Sequence, residues 1–137
     1  MRVLIDTNIL VSAALSGDGA PYQAYIKAVT HPNRGIVCDQ NVDEIRRVYN
    51  RKFPHKVQAL ERFLALALTV LEVVPTPVVD VPDEALLRDA SDRPILRAAI
   101  TARADVLVTG DRDFLQSGIT SPKIMTATEF LQMDQLP

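Results

Sequence analysis

The amino-acid sequence predicts an α/β fold, a three-layer α/β/α sandwich with a mainly parallel central sheet. Short runs of aliphatic and β-branched residues alternate along the chain with segments whose apolar residues recur at helical spacing. This alternation is typical of parallel strands joined by helical crossovers, which place helices on both faces of the sheet. The chain has 137 residues, of which 47% are hydrophobic, and this is enough for one core. We therefore expect residues 1–137 to form one domain.

The first half of the chain is predicted to contain two strands and four helices. Gly17 and Gly19 are placed to close the first helix, and Pro21 suits the first turn of the second. Asp39 is placed to cap the third helix. The strands are expected at residues 2–6 and 35–38, and the helices at residues 8–16, 21–31, 40–50 and 54–71.

The second half is predicted to contain two more strands and two helices. Residues 73–79 carry two prolines, which favours an edge segment or a connector. Ser91 is placed to cap a helix that runs to Arg103. Thr126 and Glu129 match a capping box that opens the terminal helix. The strands are expected at residues 106–109 and 124–125.

Composition and charge exclude several classes of protein. The net charge is -2 and the pI about 5.6, so the chain lacks the basic excess of a DNA-coating protein. Any nucleic-acid partner must then be met by a local patch or through metal ions. Cys38 is the only cysteine, which rules out an intrachain disulfide and suits a reducing compartment. The longest apolar run is far shorter than the roughly 18–20 residues that span a bilayer, so we expect a cytoplasmic protein without a membrane segment.

Four acidic residues from four predicted elements are expected to converge at one edge of the sheet. Ligands of open parallel sheets bind beyond the carboxyl ends of the strands. Asp6 ends the first predicted strand, and Asp111 lies just past the strand at residues 106–109. Asp92 lies in the first turn of a helix, and Glu44 lies in the helix after the second strand.

Each acid also has a simpler explanation. Asp6 is placed to cap the first helix, and Asp92 fits the ordinary enrichment of acids in a first helical turn. Asp111 and Asp113 fit a turn in the segment Gly-Asp-Arg-Asp. Only the whole set of acids favours a functional site.

Glu44 and its neighbours on the same helix have two interpretations. Arg47 and Arg51 follow Glu44 at positions i+3 and i+7, which predicts a solvated, salt-bridged stripe. If Glu44 belongs to a site, the two arginines extend towards its rim and would attract a phosphate backbone. The sequence leaves both interpretations open.

Several segments resemble the motifs of one nuclease family in order and spacing. The chain carries Asp-Thr-Asn-Ile at residues 6–9, Asp-Glu-Ile-Arg-Arg at 43–47 and Arg-Asp-Ala-Ser-Asp-Arg-Pro-Ile-Leu at 88–96. Its most specific segment is Ala-Asp-Val-Leu-Val-Thr-Gly-Asp-Arg-Asp-Phe at 104–114. Over essentially the whole chain these segments resemble the PIN-domain nucleases. Related sequences often carry another acid at position 93, where this chain has Arg93.

The resemblance implies a PIN-like fold and a defined set of site residues. The implied catalytic acids are Asp6, Glu44, Asp92 and Asp111, and the implied metal ligands are Asp6, Asp92, Asp111 and Asp113. Asn8 and Thr109 match positions expected to orient the carboxylates by hydrogen bonds. Clustered carboxylates repel one another, and a divalent cation relieves this repulsion. Hard oxygen ligands suit Mg²⁺ or Mn²⁺, and no His-Cys pattern favours zinc.

The implied chemistry is metal-dependent hydrolysis of phosphodiesters without a protein nucleophile. The chain has no Gly-x-Ser-x-Gly elbow and no phosphate-binding P-loop, which argues against serine hydrolases and P-loop enzymes. Small PIN proteins resemble the toxins of bacterial toxin–antitoxin pairs, which implies an RNA substrate, a homodimer and a small protein antitoxin. The apolar helix 57–71 fits a partner surface or the domain core. Two other hypotheses are a nucleic-acid-binding module with weak or no catalysis and a protein-interaction domain whose acids only cap helices.

Overall fold

The structure is a computed structural model that describes residues 1–133, and the last four positions of the expected domain lie outside the described residues. Five strands form one parallel sheet in the order β3-β2-β1-β4-β5. The strands are β1 Arg2–Ile5, β2 Arg34–Cys38, β3 Glu72–Val74, β4 Val106–Val108 and β5 Lys123–Met125. The predicted three-layer α/β/α architecture is confirmed, since helices flank the sheet.

Residues 1–133 also contain seven α-helices and three short 3₁₀ turns, and the last helix follows the last strand. The helices are α1 Thr7–Leu15, α2 Ala20–Val29, α3 Asp39–Lys52, α4 Val57–Val70, α5 Arg93–Thr101, α6 Arg112–Leu115 and α7 Ala127–Gln132. The 3₁₀ turns are Pro54–Lys56, Pro82–Leu86 and Ala90–Asp92. None of the helices in this part of the chain is both long and apolar enough to cross a membrane.

The sheet divides the core into two layers. Val3 and Ile5 of β1 face the cluster that contains Leu10 of α1, whereas Leu4 faces the cluster that contains Leu96 of α5. Successive side chains of a strand point to opposite faces, so a strand buried on both faces reads as an unbroken apolar run. Because all strands are parallel, their carboxyl ends lie at the same edge of the sheet.

Two helix starts differ from the sequence prediction. Asp89, not Ser91, caps the turn before α5, because its carboxylate accepts a hydrogen bond from the Ser91 amide at 2.9 Å. Helix α3 begins at Asp39 and is capped at Cys38, whose amide donates to the side chain of Asn41 at 2.9 Å. In both places the observed hydrogen bond joins a side chain to an amide two or three residues away in the sequence.

Two further predictions, for residues 73–79 and for the start of the terminal helix, can be compared with the structure. Residues 73–79 follow the edge interpretation only at their start, since β3 is a three-residue edge strand and the segment then leaves the sheet. The capping box of the terminal helix is present: Thr126 Oγ1 accepts from the Glu129 amide, and Glu129 Oε1 accepts from the Thr126 amide.

Candidate active site

The four acids singled out in the sequence line one open cleft at the carboxyl edge of the sheet. Asp6 directly follows β1, Glu44 lies on α3, Asp92 ends the 3₁₀ turn before α5, and Asp111 follows β4. All four line a cavity of about 330 Å³. It adjoins a second cavity of about 690 Å³, which Glu44, Asp92 and Asp111 line together with Asp89. The parallel sheet therefore brings together residues that are up to 105 positions apart in the sequence.

Asp6 is both a helix cap and a member of the cleft. Its Oδ1 accepts from the Thr7 amide at 2.8 Å, and its Oδ2 accepts from Thr109 Oγ1 at 2.8 Å. Burial raises the pKa of Asp6 from 3.8 to about 6, because the charged form loses water, although the two hydrogen bonds oppose this rise. The negative charges of Glu44 and Asp111 raise the pKa of Asp6 further. The capping interpretation and the site interpretation thus describe the same side chain.

Asn8 and Thr109 connect the loops that follow β1 and β4. Asn8 Nδ2 lies 3.4 Å from Asp6 Oδ2, and Asn8 Oδ1 accepts from the Gly110 amide at 3.0 Å. Thr109 Oγ1 donates to Asp6 and accepts from the Asp111 amide at 3.0 Å. Thr109 is fully buried, so its hydroxyl is held in this arrangement. Both side chains therefore orient the Asp6 carboxylate, and Thr109 also positions the backbone of Asp111.

Asp92 and Asp111 form a strongly interacting pair of carboxyl groups. The pKa of Asp92 rises from 3.8 to about 8, first through burial and then through the hydrogen bond and negative charge of Asp111. The charges of Asp6 and Asp89 raise the pKa of Asp92 further. Asp92 Oδ2 is buried and has no hydrogen-bond partner among residues 1–133. A buried carboxylate oxygen without a partner is costly, and a cation in the cleft would remove that cost.

Glu44 is held by hydrogen bonds rather than by ion pairs. Its Oε2 accepts from Thr7 Oγ1 at 2.6 Å, and its Oε1 accepts from Gln40 Nε2 at 2.8 Å. Within residues 1–133, Glu44 forms no salt bridge with Arg47 or Arg51. The predicted salt-bridged stripe is therefore absent from this part of the chain. Arg47 and Arg51 instead line the larger cavity beside Glu44.

A family model described as PIN domain matches residues 2–113 of the chain. This chain belongs to the PIN domain family. The family consists of nucleases, which generally use divalent metals. The matched range contains every acid of the cleft described above, together with Asn8 and Thr109.

The fold of this PIN domain is similar to two solved structures. One is the crystal structure of VapBC2 from Rickettsia felis bound to a DNA fragment from their promoter, in which the matching chain is 19% identical. That match covers 91% of this chain and 97% of the other, with a TM-score of 0.67. The other is PAE2754 from Pyrobaculum aerophilum, at 23% identity, with 96% and 88% of the two chains covered and a TM-score of 0.58. A search of curated proteins finds no match to this chain.

Asp89 is a further acid of the PIN domain cleft that the sequence analysis missed. One carboxylate oxygen each of Asp89, Asp92 and Asp113 lie within 4.8 Å of one another. The signal in the sequence is the spacing of three between Asp89 and Asp92, because a 3₁₀ turn places residues i and i+3 on the same side. Asp113 also lies 3.7 Å from Arg88 Nε, a cation that partly offsets the charge of this cluster.

The residues of the cleft fit a divalent metal ion. Oxygen ligands from several carboxylates suit Mg²⁺ or Mn²⁺, and the partnerless oxygen of Asp92 is available to such an ion. Both histidines of the chain are exposed, and neither lines either cavity of the cleft. The donor set is therefore that of a hard cation.

Proposed function

We propose that this PIN domain is a metal-dependent endoribonuclease that hydrolyses RNA phosphodiesters and is the toxin of a toxin–antitoxin pair. The observation that carries the proposal is the convergence of Asp6, Glu44, Asp92 and Asp111 in one cleft, with raised pKa values at Asp6 and Asp92. A fold keeps such mutually repelling groups together at a cost in stability, which is typical of functional sites.

In this proposal Asp6, Asp92, Asp111 and Asp113 hold Mg²⁺ or Mn²⁺. Such an ion, when bound, would activate a water molecule for in-line attack and would stabilise the leaving oxygen. Thr109 and Asn8 keep the Asp6 carboxylate in a fixed orientation. Glu44 lines the same cleft, where its carboxylate orients the attacking water by accepting a hydrogen bond. No side chain of the protein needs to act as a nucleophile.

The proposed path of the RNA runs along helix α3. Arg47 and Arg51 are exposed and line the cavity that also contains Glu44, Asp92 and Asp111. Exposed guanidinium groups attract phosphates at any base sequence. We propose that these two arginines bind the backbone of the RNA next to the bond that is cleaved.

The proposed partners are a small protein antitoxin and a second copy of the chain in the cytoplasm. The similarity to the fold of a VapBC2 chain supports the toxin assignment, since VapBC2 is a toxin–antitoxin complex. Helix α4 buries Leu60, Leu64 and Ala67 in the core and exposes Leu66 and Val70. The exposed pair supports a partner surface, whereas the buried face shows that α4 also builds the core.

The test of this proposal is cleavage of a panel of structured RNAs with Mg²⁺ or Mn²⁺ and with EDTA. Asp6→Asn, Asp92→Asn and Asp111→Asn are each expected to lower cleavage by more than about 100-fold while the circular dichroism spectrum stays unchanged. Asp83→Asn is the matched control, because Asp83 is exposed and does not line the cleft. Cleavage at the wild-type rate by all three variants would show that the site is wrongly assigned. RNA binding without cleavage by the wild type would favour the nucleic-acid-binding module instead.

A further inference from the structure

A buried asparagine on α3 makes a chain of hydrogen bonds that ends at Glu44. Asn41 is fully buried and lies one turn before Glu44. Its Oδ1 accepts from the Cys38 amide at 2.9 Å, and its Nδ2 donates to Thr7 Oγ1 at 3.0 Å. Thr7 Oγ1 in turn donates to Glu44 Oε2 at 2.6 Å. A polar side chain buried this deeply is costly unless its bonds are satisfied, and here both ends of the amide are satisfied.

The donors and acceptors in this series of hydrogen bonds allow only one direction of donation, from Cys38 towards Glu44. The Cys38 amide is a donor, so the oxygen of the Asn41 side chain must face it and the NH₂ group must face Thr7. The NH₂ group of Asn41 can only donate, so the Thr7 hydroxyl oxygen accepts this hydrogen bond through one of its lone pairs. The single hydroxyl proton of Thr7 is then directed to Glu44. The backbone at the start of α3 thereby determines which way the Thr7 hydroxyl points.

The second oxygen of Glu44 is held by a residue of its own helix, one turn earlier. Gln40 Nε2 donates to Glu44 Oε1 at 2.8 Å and lies 3.3 Å from the carbonyl oxygen of Ser91. Both oxygens of Glu44 therefore face donors, which fixes the plane of the carboxylate. Gln40 is partly exposed, whereas Thr7 and Asn41 are buried. Water therefore competes less with the hydrogen bonds through Thr7 and Asn41 than with the one from Gln40.

We infer that Asn41 is a positioning residue that acts through Thr7 to hold the Glu44 carboxylate in its working orientation. The inference rests on the proposed function, in which Glu44 orients the attacking water. Without the amide of Asn41, the Thr7 hydroxyl is free to rotate and to donate elsewhere, and Glu44 loses its fixed partner. Supporting groups of this kind typically change activity about 10- to 100-fold when they are removed.

The first measurement is independent of catalysis. A double-mutant cycle of Asn41→Ala and Glu44→Ala, followed by urea unfolding of the metal-free protein, is expected to be non-additive by at least about threefold in the unfolding equilibrium constant. Asn33 provides the matched control, because it is also a buried asparagine, bonded to the amino terminus and to the Lys27 carbonyl oxygen. Asn33→Ala and Glu44→Ala are expected to be additive. Additivity in the Asn41 cycle would overturn the inference.

The second measurement is steady-state cleavage by Asn41→Ala and by Thr7→Val, a variant that keeps the shape of Thr7 and removes its hydroxyl. Both are expected to lower kcat about 10-fold with little change in KM. Thr7→Ser is expected to restore most of the loss, and Asn33→Ala to leave kcat unchanged. A loss of kcat in Asn33→Ala as large as in Asn41→Ala would show a merely structural effect and overturn the inference. A wild type without cleavage would contradict the proposed function, and the unfolding cycle would still decide whether Asn41 holds Glu44.

Discussion

At the scale of single residues, the carboxyl groups of this chain divide into two kinds by their surroundings. Burial and neighbouring negative charge raise the pKa of Asp92 to about 8 and that of Asp6 to about 6. Arginine partners lower the pKa of Glu72 and of Glu84 to about 2. Opposite shifts in one small protein mean that the cleft acids oppose folding at neutral pH and that the paired glutamates support it.

These shifts predict that the metal-free protein loses stability as the pH rises from about 4 to about 8. In that window folded Asp92 and Asp6 keep protons that the unfolded chain has released, so raising the pH favours unfolding. The stabilisation from Glu72 and Glu84 is fully present above pH 4.5 and is lost only at lower pH, as the pH falls towards 2. Asp92→Asn is therefore expected to flatten the decline between pH 5 and pH 8. Urea unfolding in EDTA at several pH values measures the free energy of unfolding of the wild type and of Asp92→Asn. An equal decline in these two proteins would contradict the prediction.

At the scale of elements, two arginines of α5 bind the irregular segment before that helix. Arg93 donates to the Leu87 carbonyl oxygen at 3.1 Å, and Arg97 makes the ion pairs. Arg97 on α5 donates to both oxygens of Glu84 at 2.7 and 2.8 Å, and to Asp80 at 2.9 Å. Such a two-pronged pair fixes geometry as well as charge. The segment fixed in this way continues directly into the turn that carries Asp89 and Asp92.

Arg97→Met is predicted to loosen this segment and to weaken metal binding in the cleft. Glu84 is a buried residue and loses its charged partner, so stability falls and amide exchange in residues 80–92 becomes faster. Arg46→Met is the control, since Arg46 pairs with Glu61 at the surface and its loss costs about 1 kcal/mol or less. Equal effects of the two substitutions on stability and exchange would refute this role of Arg97.

The exposed arginines of helix α3 are predicted to contribute to RNA binding. Arg47→Glu together with Arg51→Glu is expected to weaken RNA binding and to lower the slope of log affinity against log salt by about 1.4, at about 0.7 for each phosphate contact. The control with the same change of charge is Arg62→Glu with Lys123→Glu, because both residues are exposed and neither lines the cleft. Filter binding at several salt concentrations measures the slopes. An unchanged slope in the α3 variant would leave these arginines without a role in binding.

At the scale of the whole molecule, parallel strand pairing accounts for the site. Strand β1 pairs with β2 on one side and with β4 on the other, so the loops after β1 and β4 are neighbours. Helix α3 follows β2 and brings Glu44 to this edge of the sheet. Helix α5 precedes β4, and Asp92 at its start lies at the same edge. The acids converge because the strand order is β3-β2-β1-β4-β5 and every strand points the same way.

This arrangement predicts that Mn²⁺ or Mg²⁺ stabilises the whole fold. A ligand that binds only the folded state adds about 2.7 kcal/mol at a hundredfold excess over its Kd. Thermal unfolding with EDTA and with Mn²⁺ measures the effect. Asp92→Asn is expected to be more stable than the wild type without metal and to show a smaller shift with metal, whereas Asp83→Asn keeps the full shift. A wild type whose Tm does not respond to metal would refute metal binding by the carboxylate cluster.

The sequence by itself determined four of the five strands in residues 1–133, most helices of that range and the places of Asp6 and Asp111, because these depend on local patterns. An unbroken apolar run marks a strand buried on both faces, and an acid directly after it falls at the carboxyl edge of the sheet. Asp6 and Asp111 are of this kind. The cap at Thr126 was equally predictable, since both of its hydrogen bonds join residues three apart.

Only the tertiary structure decided which partners the site residues have. One of the two interpretations of the sequence paired Glu44 with arginines of its own helix, but the packing of α3 against α1 brings Thr7 to its carboxylate instead. Asp89 was missed because its role depends on the position of Asp113, which lies 24 residues further along the chain. Hydrogen bonds and pKa values depend on burial and on the exact neighbours of a group, and these are set when distant elements pack together.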